Sequence, residues 1–181
     1  ITSESVETTR DVVARFSSEL IRFYIGQDLI GNEVGAAAKN VIGIAAGMLD
    51  GVDLGALKGA LMARGAHEVA GLIRAMGGNE LSAYGLAHLG DYQATLFSEH
   101  GHNRRYGEAF VRGERFAALA EGVATLDALL VLAAKHGVEM PICSALRAIL
   151  HNGHDPRSVL RELLLRPIKS EFGAGVGAGK G

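Results

Sequence analysis

The chain has a single cysteine, Cys143, no tryptophan, three prolines and only 6% aromatic residues. One cysteine excludes an intrachain disulfide and suits a reducing compartment, so a cytoplasmic location is expected. The prolines all lie from Pro141 onward, leaving everything before that point free of the strongest helix breaker. No apolar run reaches the roughly 18 residues that a membrane-spanning helix needs. Glu4 and Glu7 stand ahead of the first apolar stretch, where a signal peptide carries basic residues, so neither membrane insertion nor export is expected. Charge of one sign is lacking too: 18 basic against 20 acidic side chains leave a net charge of −2, which excludes a general nucleic-acid-coating role.

What the chain does have is small residues, with 25 glycines and a comparable number of alanines inside a 48% hydrophobic composition. That balance argues against a β-sandwich rich in Val, Ile and aromatics and favours closely packed helices. A length of 181 residues suits one domain with its own core, and Ile1 in place of an initiating Met leads us to expect a piece of a larger protein.

Along the chain, Ser5 to Glu19 carries a partial apolar face and reads as a helix capped by Ser3 or Ser5. Leu20 to Ile25 is short, aromatic and β-branched and stops at Gly26, so it reads as a strand. From Asn32 the pattern is helical throughout. A helix capped by Asn32 and running to about Leu49 is apolar nearly all round, as befits a central one. Further helices are expected over Leu54 to Met76, Glu80 to Leu89, Asp91 to Phe97, Asn103 to Val111 and Val123 to Ala134, the last ending at Gly137. Pro141 opens another, and Asp155-Pro156 reads as the cap and first position of the last, to about Leu165. The tail from Gly173, GAGVGAGKG, fits neither the P-loop nor the GxGxxG spacing and reads as a flexible linker.

Lys39 interrupts the most apolar helix. It either snorkels to an edge or points into a cavity with a partner, where burial would favour proton exchange near neutral pH. A second cluster joins Asp91 and Thr95, four apart and on one face of a helix, to His102-Asn103-Arg104-Arg105. An amide, a helix N-terminus and two guanidinium groups suit an anion such as phosphate, although ordinary surface helices produce the same steps. His100, His102, His151 and His154 lack the converging ligands of a metal site, and Asp50 and Asp53 miss the calcium-loop spacing, so no metal is expected.

Seven stretches, in order, carry a family resemblance: GNEVGAAAKNVIGIAAGMLDG (Gly31 to Gly51), Arg64-Gly65, HLGDYQAT (His88 to Thr95), HNRRYGEA (His102 to Ala109), AEG (Ala120 to Gly122), GVEMPI (Gly137 to Ile142) and RPIKSE (Arg166 to Glu171). They resemble the helical C-terminal half of bacterial NAD(P)-dependent sn-glycerol-3-phosphate dehydrogenase. The resemblance implies a mainly α, multi-helix fold of the 6-phosphogluconate dehydrogenase C-terminal type over residues 31–170. Residues 1–30 would be an α/β remnant, similar to the last helix and strand of a Rossmann domain, and residues 171–181 a tail.

It also implies the interconversion of glycerol 3-phosphate and dihydroxyacetone phosphate with NAD or NADP, as used in glycerophospholipid synthesis. Lys39 matches the family's acid/base, Asp91 its neighbouring aspartate, and Thr95, Gly101, His102, Asn103 and Arg104 the substrate pocket. His102, Leu119 and Glu121 match positions at the cofactor. The partner implied is a small phosphorylated substrate, with room for a homodimer. Four departures stand out: His102 replaces a family arginine, Gly101 a serine and Gly55-Ala56-Leu57 a GDN step, and the stretch from Asn103 to Glu121 is short. A histidine lacks arginine's bidentate fork, so substrate identity is open. No glycine-rich βαβ unit occurs in the 181 residues, so this chain alone is expected neither to bind NAD tightly nor to turn over. Two alternatives stay open: a related dehydrogenase acting on another hydroxy acid or phosphate, and a non-catalytic helical dimerisation domain.

Overall fold

The computed structural model describes residues 1–164. The glycine tail, the segment RPIKSE and the expected helix end at about Leu165 lie outside them.

The core is built around one helix, α2 (Leu29–Gly51), whose Val41, Ile42, Ile44, Ala46 and Met48 are fully buried. It starts earlier than Asn32 because Asp28 is the cap, its carboxylate accepting from Gly31 N at 3.1 Å. Asn32 instead donates from Nδ2 to the Asp28 carbonyl at 2.7 Å. The carboxylate also accepts from Asn79 N (3.0 Å) and Ser82 Oγ (2.5 Å), tying the start of α2 to a distant turn. Burial alone would raise its pKa, but these hydrogen bonds outweigh burial and hold it below the ordinary carboxylate value. Asp28→Ala is expected to cost about 1–2 kcal/mol, read as a lower urea midpoint.

Around α2 pack α3 (Lys58–Ala75), α4 (His102–Arg112), α5 (Glu121–His136) and α6 (Pro141–Leu150), followed by α7 (Pro156–Leu164). Local signals set several ends. Gly137, at φ 66°, closes α5, Pro141 is the first residue of α6, and Asp155 accepts from Ser158 N at the start of α7. Glu68, buried on α3, accepts from Ile142 N at 2.8 Å and Cys143 N at 3.1 Å, fastening the start of α6 to α3. Leu126 and Leu129 of α5 and Leu146 and Ile149 of α6 complete the core.

The glycines serve close approach. A Cβ on Gly47 would stand 1.8 Å from the Arg104 carbonyl oxygen, one on Gly107 2.1 Å from that of Ile44, and one on Gly122 2.7 Å from that of Asn40. Backbones of α2, α4 and α5 therefore touch where any side chain would hold them apart.

Other expectations need correction. Leu20 to Ile25 is not a strand: apart from α1 (Val6–Phe16), the first 28 residues are irregular, with only isolated bridges pairing Thr2 with Gly26 and Ser18 with Ile21. A strand satisfies its N–H and C=O groups only against a neighbour. Here the backbone alongside is Ile1 and Thr2, with Ile1 N donating to Tyr24 O at 2.7 Å and Gly26 N to Ile1 O at 2.9 Å, which is too short a partner for a ladder. The segments Glu80 to Leu89 and Asp91 to Phe97 are likewise not α-helices but 3-10 turns, Glu80–Tyr84 and Leu89–Asp91, and a π turn, Gln93–Phe97. Such short helices are marginal alone, so bonds to the surroundings decide their winding. Leu54 to Met76 similarly opens with a 3-10 turn, Gly55–Leu57, before α3.

Candidate active site

Lys39 projects from the middle of α2, and its ammonium is paired with the Asp91 carboxylate at the end of the 3-10 turn Leu89–Asp91. The pair is neither sealed nor loose, with side-chain exposures of 26% for Lys39 and 38% for Asp91, so a ligand can reach the ammonium while the carboxylate holds it. Lys39 thus has a partner while its side chain still reaches solvent.

One turn further along α2, Gly43 lies beneath Thr95 and Asn103. A Cβ there would stand 3.0 Å from Thr95 Cγ2 and 3.4 Å from Asn103 Cβ. Lys39, Gly43 and Gly47 follow at i, i+4 and i+8, so the stripe that admits α4 runs up to the lysine. Asn103 accepts from Gly122 N through Oδ1 at 2.9 Å, which caps α5 and leaves its NH2 group as the donor for a ligand. Gly101 precedes α4, whose N-terminus has no side-chain cap. Lys39, Asp91, Thr95, Gly101 and Asn103 thus gather along one flank of α2.

The other sequence candidates are placed differently. Arg104 turns away: its Nε donates to Ser98 O at 3.0 Å, and its Nη1 pairs with Asp50 and, at 3.3 Å, with Glu108. Asp50 lies three turns beyond Lys39, so this guanidinium is committed at the other end of α2. His102 is exposed, its ring 6.5 Å from that of Phe116. Leu119 and Glu121 are exposed at the start of α5, next to Gly122, which packs on the turn bearing Asn40.

Sequence reading missed two sets of partners. Lys58 donates to Asp50 at 2.6 Å and to Leu96 O at 3.0 Å, and sits 5.0 Å from the Phe97 ring centroid. Asp50 is therefore the anchor of two cations and no part of a calcium loop. Lys58 and Arg104 together hold carbonyls at the end of the π turn that carries Thr95. Nothing local marks these partners, which come from separate elements. The second set is His88 and Tyr92. His88 is fully buried, with Nδ1 2.8 Å from Gly35 O and Nε2 2.6 Å from Tyr92 Oη. Their i, i+4 spacing was visible in HLGDYQAT, but on a segment expected to be two helices.

Burial is the main cause of a His88 pKa lowered to about 4; the Gly35 carbonyl opposes the shift and the Lys39 ammonium adds to it. Burial, then Glu68 and Cys143, raise that of Tyr92. Below the ordinary histidine value of 6.5 the unfolded chain binds a proton that the folded chain refuses. The neutral imidazole's share of stability is therefore complete above pH 6.5 and falls away as pH drops towards 4. Unfolding free energies from urea titrations should decline over that window by up to about 1.4 kcal/mol per pH unit, and the decline should flatten in H88N. Among the described residues no three His, Cys, Asp or Glu side chains are grouped so as to hold a metal ion.

Known proteins resemble this chain in sequence and in fold. A family model described as NAD-dependent glycerol-3-phosphate dehydrogenase C-terminus matches residues 28–161. The chain is 41% identical over 171 residues to glycerol-3-phosphate dehydrogenase [NAD(P)+] of Thermus thermophilus, covering 91% of this chain and 53% of that one. It is 41% identical over 178 residues to the enzyme of the same name from Koribacter versatilis, covering 93% and 53%. The crystal structure of glycerol-3-phosphate dehydrogenase from Coxiella burnetii superposes with a TM-score of 0.83 at 34% identity, covering 91% of this chain and 53% of that one. The chain spans about half the length of the curated relatives it matches.

Proposed function

Because the chain belongs to the family of the NAD-dependent glycerol-3-phosphate dehydrogenase C-terminus, we propose that it is the helical, substrate-holding half of an enzyme interconverting sn-glycerol 3-phosphate and dihydroxyacetone phosphate. The observation that carries this reading is the half-open Lys39–Asp91 pair at the middle of the buried central helix. In the reduction, Lys39 Nζ gives a proton to the C2 oxygen as hydride reaches C2; in the oxidation the neutral amine takes that proton back. Asp91 holds the amine in place. Thr95, the Asn103 NH2 group and the uncapped start of α4 at Gly101 and His102 supply donors for the substrate's hydroxyl and phosphate oxygens. Arg104 serves this pocket indirectly, by bracing the π turn.

A nicotinamide cofactor, NAD or NADP, supplies or accepts the hydride. His102, Leu119 and Glu121 are exposed and can border it, but nothing among the described residues forms a glycine-rich cradle for its pyrophosphate. We therefore assign cofactor binding mainly to a separate dinucleotide-binding half, residues 1–30 to its side of the boundary and residues 31–170 to the substrate half. The family match beginning at residue 28 supports that division. Tight NADH binding by this chain alone, measured by calorimetry, would contradict it. The cytoplasm, glycerophospholipid synthesis and a homodimer belong to the same reading. No helix among the described residues is long and apolar enough to cross a membrane.

The second reading, a related dehydrogenase with another substrate, is favoured by His102 alone. Initial rates of the full-length protein with dihydroxyacetone phosphate and with unphosphorylated dihydroxyacetone separate the two. The first reading predicts a kcat/KM preference for the phosphorylated compound of at least about 100-fold, as expected for losing charge-assisted phosphate contacts. A preference for the unphosphorylated compound would favour the second.

A further inference from the structure

We propose that His88 is a positioning residue, which sets the Asp91 carboxylate against Lys39 by seating its imidazole on the Gly35 carbonyl. The inference rests on the acid–base reading of Lys39 given above.

A carbonyl only accepts, so the 2.8 Å contact puts the ring proton on Nδ1, and Nε2 accepts the Tyr92 hydroxyl at 2.6 Å. Both ring nitrogens are thereby used and the orientation of the buried ring is fixed. The register follows from two spacings. Gly35 and Lys39 are four residues apart on α2, a rise of roughly 6 Å. His88 and Asp91 are three apart in a turn closed by Asp91 N–H donating to His88 O at 3.1 Å, and three residues of 3-10 helix also rise roughly 6 Å. With His88 on Gly35, Asp91 consequently meets Lys39.

Two further features hold this match. Gly35 admits the seat, since a Cβ there would stand 3.0 Å from His88 Cβ. Tyr92, the residue after Asp91, bonds back to the same ring and reaches α3, where a Cβ on Gly65 would lie 3.3 Å from its Oη. Asp91 is thus bracketed by two buried residues that grip each other, while its own carboxylate is 38% exposed and would otherwise be drawn to water.

Two polar variants of the full-length protein test this. The amide of Asn in H88N reaches the place of Nδ1 and can still donate to Gly35 O; that of Gln in H88Q reaches the place of Nε2 and cannot. H88Q should lose about 10- to 100-fold in kcat for dihydroxyacetone phosphate, with KM changed by less than about 3-fold, whereas H88N should stay within about 3-fold of the parent in both. Independently of turnover, the Lys39 15Nζ resonance should move in H88Q towards its position in D91N and stay near the parental position in H88N. Gly35→Ala crowds the same seat without removing a polar atom and should behave as H88Q, so the test does not depend on one variant folding. Parental kcat and an unmoved Lys39 resonance in H88Q, or H88N impaired as badly as H88Q, would overturn the proposal. A parent protein inactive on dihydroxyacetone phosphate would instead sink the functional reading, and the resonance would still decide the role of His88.

Discussion

Lys39→Ala in the full-length protein is expected to lower kcat for dihydroxyacetone phosphate reduction by about 10²- to 10⁴-fold, the usual contribution of a positioned proton donor. The effect is separable from folding. Lys39 and Asp91 are 26% and 38% exposed, so water screens their attraction, and a pair of that kind contributes only about 0–1 kcal/mol to stability. Alanine is also the best helix former, and the three residues that precede Lys39 on α2 are already alanines. The variant should therefore melt close to the parent while having lost its chemistry. Because Asp91 holds the amine and does not itself exchange the proton, Asp91→Asn should cost less than Lys39→Ala. Steady-state rates and thermal melts on the same preparations check both statements.

Gly47→Ala is expected to be the most damaging single substitution for stability, at about 3 kcal/mol or more. An isolated exchange of Gly for Ala inside a helix stabilises by up to about 1 kcal/mol. At Gly47 the sign reverses, because the added Cβ would meet the Arg104 carbonyl oxygen at 1.8 Å, its carbon at 2.7 Å and Glu108 N at 2.9 Å. All three are backbone atoms of α4, which cannot rotate aside as a side chain can. Only a shift of the whole helix relieves the contact, and α4 carries Asn103 at its first turn, so the pocket moves with it. Gly59→Ala is the matched control: it lies on α3, with nothing within 4 Å of its Cβ position, and should leave stability equal or slightly raised. Urea titrations of the two variants beside the parent should differ in opposite directions.

The two substitutions also mark what was legible in the sequence. The run from Gly31 to Gly51 announced a central helix with one odd lysine, and Gly137, Pro141 and Asp155-Pro156 announced helix ends, because caps and breakers act within a few residues. Ser3 and Ser5 were readable as alternative caps of α1 for the same reason, and Ser5 is the one whose side chain accepts from Thr8 N. What failed to read was whatever depends on a partner elsewhere. Leu20 to Ile25 had the composition of a strand but met, among the described residues, no partner longer than Ile1 and Thr2. Asp91 and Thr95 were read on one face of a helix that does not form. Their segment is wound by bonds from His88 to Gly35, 53 residues away, and from Lys58 to Leu96, 38 residues away. Arg104 had the chemistry of a phosphate ligand and is claimed instead by Asp50, 54 residues earlier. Periodicity cannot show which of two acceptors a guanidinium will find.

Chemical rescue of K39A by a small primary amine measures the central step most directly. With saturating dihydroxyacetone phosphate and reduced cofactor, the full-length variant alone should be nearly silent, and its rate should climb with added methylamine as the free ammonium takes the place of Nζ. Parental turnover by K39A in the absence of any amine would show that the C2 oxygen takes its proton from another group, and would contradict the assignment.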